Sequence, residues 1–353
     1  MNLSDQLIDW YQVHKRDLPW RNISDPYLIW ISEIILQQTR VNQGLDYYLR
    51  FIERFPNVET LAAAEEDEVL KYWQGLGYYS RARNLHQAAQ QIIRDFGGVF
   101  PTTYTEVLQL KGVGAYTAAA VCSFAYNLPY AVVDGNVYRV LSRLFAIETP
   151  IDSHFGKKEF DSLAQQLIEN SVPSLHNQAI MEFGALQCVP VSPDCSDCPL
   201  QVYCKAYELK IVEQLPVKSK KTPVKQRFFN YLVIQYNQQI FLQKRTADDI
   251  WKNLYEFPLI ETDHLLTLEE LLENNSFCHI FYGIEQVKIL NISKPVHHLL
   301  THRRITAQFI TLQIIEKNEA LKQFIEIPNT EIGNFAVSRL VEMYLKKEFL
   351  DLI

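Results

Sequence analysis

Four of the six cysteines fall within seventeen residues: Cys188, Cys195, Cys198 and Cys204, spaced C-x6-C-x2-C-x5-C. Thiolates so crowded on one short loop can close around a single metal centre, and a reducing compartment favours that over disulfides. Zinc sites more often pair two C-x2-C knuckles across a longer gap. Only one such pair is present, flanked by two further ligands at unequal distances. The compact wrap suits an iron–sulfur cubane, with zinc and a non-metal role as the alternatives. Cys122 and Cys278 stand alone and are expected to be inert buried thiols.

Two carboxylates stand in contrasting settings. Glu33 lies in Tyr27-Leu28-Ile29-Trp30-Ile31-Ser32-Glu33-Ile34-Ile35-Leu36-Gln37-Gln38-Thr39. A helix that is apolar all round is buried, and burial raises a carboxyl pKa toward that of a general acid. A buried glutamate paired with an arginine is the other reading. Asp134 ends an apolar run in Ala131-Val132-Val133-Asp134-Gly135-Asn136-Val137. There it would cap the following helix, whose N-terminus favours an ionised carboxylate. A cap with no further role would look the same. A protonated acid beside an ionised carboxylate is the division of labour that glycoside hydrolysis uses.

A third feature is Leu110-Lys111-Gly112-Val113-Gly114-Ala115-Tyr116-Thr117-Ala118. Its Gly-x-Gly turn joins two helices. Glycine permits positive φ and close approach of a phosphate, and the next helix turns its free N–H groups toward that anion. A tight helix–helix turn explains Gly112 and Gly114 about as well.

The elements that must hold these residues are helical up to about residue 210. Apolar residues recur at helical spacing over Leu3–Val13, and Asp25-Pro26 opens a helix as cap and first residue. Further helices are predicted over Val41–Arg54, Glu66–Trp73, Ala82–Phe96, Tyr104–Leu110, Ala115–Phe124, Val137–Phe145, Phe155–Ile168 and Ser174–Leu186. Basic, Pro-containing Val217–Lys225 reads as an exposed linker, or as a strip resting on phosphates. Beyond it Phe228–Tyr236, Gln239–Lys244, Val287–Ile292 and Ala307–Ile315 read as strands, with Asn237-Gln238 as a hairpin turn. Leu265–Asn274 and Ala336–Lys347 read as helices. The expected organisation is an all-α domain over 1–215, a basic linker over 216–227 and an α+β domain over 228–353.

At 353 residues, with 48% apolar residues, the chain is long enough for two cored domains. No apolar run is long enough to span a membrane. Met1-Asn2-Leu3-Ser4-Asp5 is not a signal peptide, so a cytoplasmic protein is expected. The formal net charge of −7 argues against a strongly basic nucleic-acid binder, although a local basic face and backbone amides can still hold phosphates.

The strings L-P-W-R at Leu18–Arg21, W-I-S-E-I-I-L-Q-Q-T-R-V from Trp30 and G-L-G-Y-Y-S-R-A-R-N-L-H from Gly75 resemble the A/G-specific adenine glycosylase family, MutY. So do G-V-G-A-Y-T-A, V-D-G-N-V-x-R-V and the cysteine spacing, so that the likeness covers residues 1–210 almost continuously. The resemblance implies a helix-hairpin-helix glycosylase fold of the endonuclease III-like kind and a [4Fe-4S] cluster on the four cysteines. It implies excision of adenine mispaired with 8-oxoguanine or guanine in double-stranded DNA. Glu33 would protonate adenine, at N7, and Asp134 would meet the sugar cation, with Tyr116 and Asn136 assisting. Gln38 and Tyr78 would wedge into the stack to offset the cost of flipping a base. Arg21, Gly112 and Gly114 would bind DNA or the lesion. Relatives that also cut the backbone carry a lysine where this chain has Tyr116 and use it as an imine-forming amine. Some members have another lysine where this chain has Tyr138. The chain is therefore expected to be monofunctional and to act as a monomer.

Trp251-Lys252-Asn253-Leu254-Tyr255-Glu256-Phe257-Pro258 resembles the W-x-x-L-(W/Y)-x-F-P string of the family's Nudix-like C-terminal domain. Leu268-Glu269-Glu270-Leu271 lacks the arginine and spacing of a Nudix hydrolase helix, so that domain is expected to read a base without hydrolysing it. Leu300-Thr301-His302 aligns with a lesion-reading loop that is often F-S-H. The aromatic is lost at Leu300, while the Thr301 hydroxyl is kept. His298 and His302 would form a metal pair only if a helix ran between them. Two competitors are an endonuclease III-type glycosylase/lyase and a non-catalytic DNA-binding zinc adaptor. Tyr116 argues against the first, and the paired carboxylates argue against the second.

Overall fold

The computed structural model describes residues 3–169, 171–219 and 224–348. The chain forms two compact units, one of residues 1–63 and 84–221, the other of 64–83 and 222–353.

The first unit is helical. It is built on α1 (Leu3–His14), α2 (Pro26–Leu36), α3 (Val41–Arg54), α4 (Val58–Ala63) and most of a longer helix whose first turn belongs to the other unit. α7 (Tyr104–Gln109), α8 (Ala115–Tyr126), α9 (Gly135–Phe145), α10 (His154–Ile168), α11 (Pro173–Leu186) and the one-turn α12 (Lys205–Glu208) complete it. α2 starts where its sequence says it should: Asp25 Oδ1 accepts from the backbone N–H of Tyr27 at 2.8 Å and of Leu28 at 3.3 Å, and Pro26 occupies the first turn. Ile29, Trp30, Ile31, Glu33, Ile34 and Ile35 are all buried on it. The main core joins Leu7, Trp10 and Tyr11 of α1 to Val140, Leu141 and Leu144 of α9 and to Ile180 and Phe183 of α11.

The second unit contains α5 (Glu66–Tyr72) and the opening turn of α6 (Ser80–Phe96), followed much later in the chain by a mixed eight-stranded sheet. β1 (Lys225–Tyr236) lies at its centre, parallel to β7 (Arg303–Ile314) and antiparallel to β2 (Gln239–Lys244) and β4 (Leu259–Thr262). β3 (Tyr255–Glu256) and β8 (Ile325–Pro328) pair with β2, while β5 (Val287–Ile292) and β6 (Val296–Leu300) pair with β7. The β1–β2 turn is Asn237-Gln238, as expected, with φ of 45° and 63°, the left-handed pair of a tight hairpin. α13 (Leu268–Glu273), α14 (Asn275–Ile280) and α15 (Arg339–Glu348) flank the sheet.

Residues 64–83 were expected in the helical domain, being helical in period, but their side chains serve the sheet unit. Asp67 accepts from Lys244 Nζ at 2.6 Å and from the Tyr255 hydroxyl at 2.7 Å, and Arg83 donates to the carbonyl of Lys252 at 2.8 Å. Parts of the span 216–227, expected as a linker, carry hydrogen bonds of their own. The Val217 carbonyl accepts from Ile151 N–H, Ser219 bonds Asp152, and Lys225 already pairs with Arg303. The basic residues 220–223 between them lie outside the described residues.

Other expectations shift for local reasons. The helix expected from Leu265 begins at Leu268 because Thr267 caps it in a reciprocal box with Glu270. The helix expected from Ala336 begins at Arg339, since the Ala336 carbonyl is taken by Tyr255 N–H. His298 lies on a strand and His302 in the following turn, so no helix sets them one turn apart. Cys122 is buried as expected, but Cys278 is exposed on the outer side of α14.

Candidate active site and cysteine cage

The helical unit holds a cleft of about 1300 Å³, lined by Arg21, Glu33, Gln38, Gly112, Gly114, Tyr116, Asp134 and Asn136 among others. These residues come from four stretches of sequence, and folding brings them to one space.

Glu33 is 7% exposed and accepts a hydrogen bond from the Tyr116 hydroxyl at 3.0 Å. Burial pushes its carboxyl up to about 7. The Tyr116 bond opposes that, nearby Asp134 adds to it, and Arg21 opposes it. Half of such a population carries the proton near neutrality.

Asp134 caps α9 as its sequence position implies, accepting at 2.8 Å from Val137 N–H and at 2.8 Å from the Asn136 side-chain amide. The expectation that the helix end would set its charge needs correcting. Burial comes first and raises its pKa, and the bonds from Val137 and Asn136 and the charge of Arg139 only partly reverse it.

Asn136 is held in turn. Its side-chain oxygen accepts from Arg139 Nη2 at 2.9 Å, and Arg139 also donates to the carbonyls of Gly184 and of Cys188, the latter at 2.7 Å. Sequence reasoning assigned Arg139 no role, although it is the arginine of the V-D-G-N-V-x-R-V string. Glu182 was missed as well. It is 1% exposed, and it receives Arg16 Nε at 2.8 Å and Nη2 at 2.6 Å together with Arg21 Nη2 at 2.6 Å. Arg21, expected at the DNA, is thus ion-paired on the cleft wall.

The hairpin joins α7 to α8. Gly112 has φ of +73°, and a Cβ there would sit 2.5 Å from Cβ of Asn84, so both backbone and neighbour require glycine. Gly114 caps α8 with open space before it, which leaves the helix N-terminus free to face an anion. Gln38 follows α2 at φ +56°, and Tyr78 in the second unit has φ +47°. Left-handed backbone is uncommon for non-glycine residues and clusters at functional positions. Within that second unit the Tyr78 and Thr301 hydroxyls share a hydrogen bond. Thr301 and His302 are exposed in the turn after β6, and Leu300 is half-buried at its end.

The four clustered cysteines, none disulfide-bonded, line a small cavity of about 30 Å³ together with Arg143. Among the described residues, no three His, Cys, Asp or Glu converge tightly enough to hold a single ion. Arg143 Nη1 points at Cys188 Sγ from 3.4 Å while donating to the Val189 carbonyl at 2.8 Å. Backbone N–H groups of Leu200 and Tyr207 bond Cys198 and Cys204. Burial pushes the Cys198 thiol up to about 11. Amide and guanidinium donors around four soft sulfur atoms form a donor set that fits a thiolate-bound metal group.

In the second unit, Glu270 is committed to the Thr267 cap and to His264. Glu256 is buried with Arg245, Gln243 and the Tyr231 hydroxyl. No helix among the described residues is long and apolar enough to cross a membrane.

A hairpin at a helix N-terminus, a carboxyl poised near neutrality and a capped aspartate on one cleft fit a base-excision DNA glycosylase of the helix-hairpin-helix fold, and the relatives establish that class. The family model described as "HhH-GPD superfamily base excision DNA repair protein" matches residues 31–166, and a NUDIX domain model matches residues 230–347. An adenine DNA glycosylase of Buchnera aphidicola subsp. Baizongia pistaciae is 37% identical over 302 residues, 84% of this chain and 82% of that one. The adenine DNA glycosylase of Mus musculus is 45% identical over 212 residues, 57% of this chain and 41% of the mouse protein. A solved thermostable thymine-DNA glycosylase superposes with a TM-score of 0.54 at 31% identity, covering 58% of this chain and 95% of that one. The chain belongs to the adenine DNA glycosylase family.

Proposed function

We propose that this DNA glycosylase hydrolyses the N-glycosidic bond of adenine paired with 8-oxoguanine or guanine in duplex DNA, and leaves the backbone uncut. The observation that carries the reading is Glu33, a buried carboxyl raised to about 7 that shares one cleft with the capped Asp134. Protonated Glu33 gives its proton to N7 of the extruded adenine, and the base leaves neutral rather than as an anion. Positive charge develops on the sugar as the bond opens. Asp134, aimed by Val137 N–H and Asn136, stabilises that cation in its ionised form. Tyr116 holds the Glu33 carboxyl through its hydroxyl. A phenol cannot form an imine with the sugar, so water completes the reaction.

Gln38 and Tyr78 support the DNA around the extruded base, and the Gly112–Gly114 hairpin takes a backbone phosphate. Thr301 and His302, beside Leu300, read the oxidised purine. Cys188, Cys195, Cys198 and Cys204 would hold a [4Fe-4S] cluster, which would serve structure or DNA sensing rather than hydrolysis. The chain works as a monomer, in the cytoplasm, on the nucleoid.

The test is incubation with short duplexes containing A:8-oxoguanine, A:G, A:C and A:T, developed with hot alkali. Strand breaks are expected for the first two and only after alkali. Release of a pyrimidine instead, or good-yield borohydride trapping of a protein–DNA adduct, would replace this reading with a glycosylase/lyase. Visible absorption near 400 nm, lost with the four thiols, distinguishes the cluster from zinc.

A further inference from the structure

One buried cation takes no part in the chemistry of the cleft. Arg143 stands in the last turn of α9 and is 2% exposed. Its Nε donates to the carbonyls of Val212 at 3.0 Å and Leu215 at 3.3 Å, its Nη1 to that of Val189 at 2.8 Å, and its Nη2 to that of Pro190 at 3.0 Å. These neutral carbonyls take up its hydrogens without returning a charge. Among the described residues no carboxylate pairs with it. Asp194, which lines the same small cavity, accepts from Ser196 and Asp197 instead, and Glu213 accepts from Ser192 N–H.

A cation taken out of water without an anion is strongly unfavourable. The negative end of α9 offsets little of that cost, since a helix terminus carries only partial charge. The remaining contact of the guanidinium shows where the anion belongs. Nη1 also lies 3.4 Å from Cys188 Sγ, and Arg143 lines the cavity together with Cys188, Cys195, Cys198 and Cys204. A cubane held by four thiolates carries net negative charge, and its reduction potential depends on the charges and hydrogen bonds around its sulfur atoms.

The geometry points to Arg143 as the counter-cation of the cysteine-held cluster, a buried charge that favours the more reduced, more negative state and so resists oxidation of the cluster. This rests on the reading that the four cysteines hold [4Fe-4S]. Taking one electron from the cluster to an electrode makes it less negative and weakens its attraction to the guanidinium, with no bond made or broken. A neutral side chain at position 143 removes that attraction, and the electron then leaves more readily.

The test measures the one-electron midpoint potential of the cluster-loaded full chain on an electrode, and the bleaching of its absorption near 400 nm by ferricyanide, for the parent, Arg143→Gln and Arg143→Lys. Arg143→Gln is expected to shift the equilibrium about ten-fold toward the oxidised cluster, a potential lower by about 59 mV for one electron, and to bleach faster. Arg143→Lys keeps the charge but lacks the planar fork that reaches several carbonyls at once. Its potential should therefore stay near the parent's while its melting temperature falls. An unchanged potential in cluster-loaded Arg143→Gln would overturn the inference. So would a potential in Arg143→Lys as low as in Arg143→Gln, because shape rather than charge would then set it. Should Arg143→Gln purify without a cluster, Arg143→Lys decides: a retained cluster at the parental potential supports the role of the charge, whereas loss there too marks Arg143 as a tie between loops and overturns the inference. A parent that purifies with zinc and no absorption near 400 nm would instead sink the cluster reading, and this inference with it.

Discussion

Two buried glutamates face the same cleft and titrate on opposite sides of their ordinary value. Glu33 on α2 is raised by burial to about 7. Glu182 on α11 also meets a raising effect from burial, but hydrogen bonds from Arg16 and Arg21 hold it at about 2. Depth does not separate them, since both are under a tenth exposed. Their partners do: one neutral phenol on Glu33, two guanidiniums on Glu182. A cleft thus keeps one acid able to give a proton and one that never does.

The largest expected effect is on chemistry. Glu33→Gln and Asp134→Asn should each slow adenine release by about 10²–10⁴-fold in single-turnover assays, with duplex binding retained in a gel shift. For the parent, release should fall about ten-fold per pH unit above about 7, as the proton on Glu33 is lost. A flat profile through pH 8 would equate the two glutamates and remove Glu33 as the acid.

Next comes stability. Glu182→Gln leaves Arg16 and Arg21 without their shared anion and should cost on the order of 3 kcal/mol in urea unfolding. Its folded pKa is depressed, so the contribution of Glu182 is present above the unfolded value near 4.5 and lost as pH falls toward about 2. Glu33 has the opposite sign. Its folded pKa is raised, so the folded state loses stability as pH rises from about 4.5 to about 7. Glu33→Gln should therefore stabilise the protein at pH 8 by on the order of 2–3 kcal/mol, and by little at pH 4.5. Equal melting temperatures at pH 8 would mean that Glu33 is not held in an unfavourable ionised state.

The smallest effect concerns reading the lesion. Thr301→Ala should lower the preference for A:8-oxoguanine over A:G by two- to ten-fold, on the scale of one hydrogen bond. Leu300 offers no aromatic surface to add to it.

Glu33 was legible because α2 is apolar on every side, and Asp25-Pro26 marks its start without ambiguity. Glu182 sits in a similar run, Ala179-Ile180-Met181-Glu182-Phe183, but its character comes from arginines far away in sequence at positions 16 and 21. The cap at Asp134 could be read from local types; its net shift could not, since desolvation depends on what packs over it. Helical period identified α5 without saying which surface it would join. Strands as short as β3, β4 and β8 carry too few residues for alternation to stand out. Val296–Leu300 gave no sign that it pairs with β7 until the register was seen.

The placement of residues 64–83 has a consequence for the protein as a covalent object. The polypeptide passes between its two units three times, near residues 63, 83 and 221, so one break in the chain does not release the sheet unit. A polypeptide cut after residue 215 would still carry, in its first fragment, Asp67 for Lys244 and Tyr255 and Arg83 for the Lys252 carbonyl. The two pieces are plug and socket. They should co-purify after nicking, and reassociate when produced separately, where a simple pair of beads on a string would drift apart.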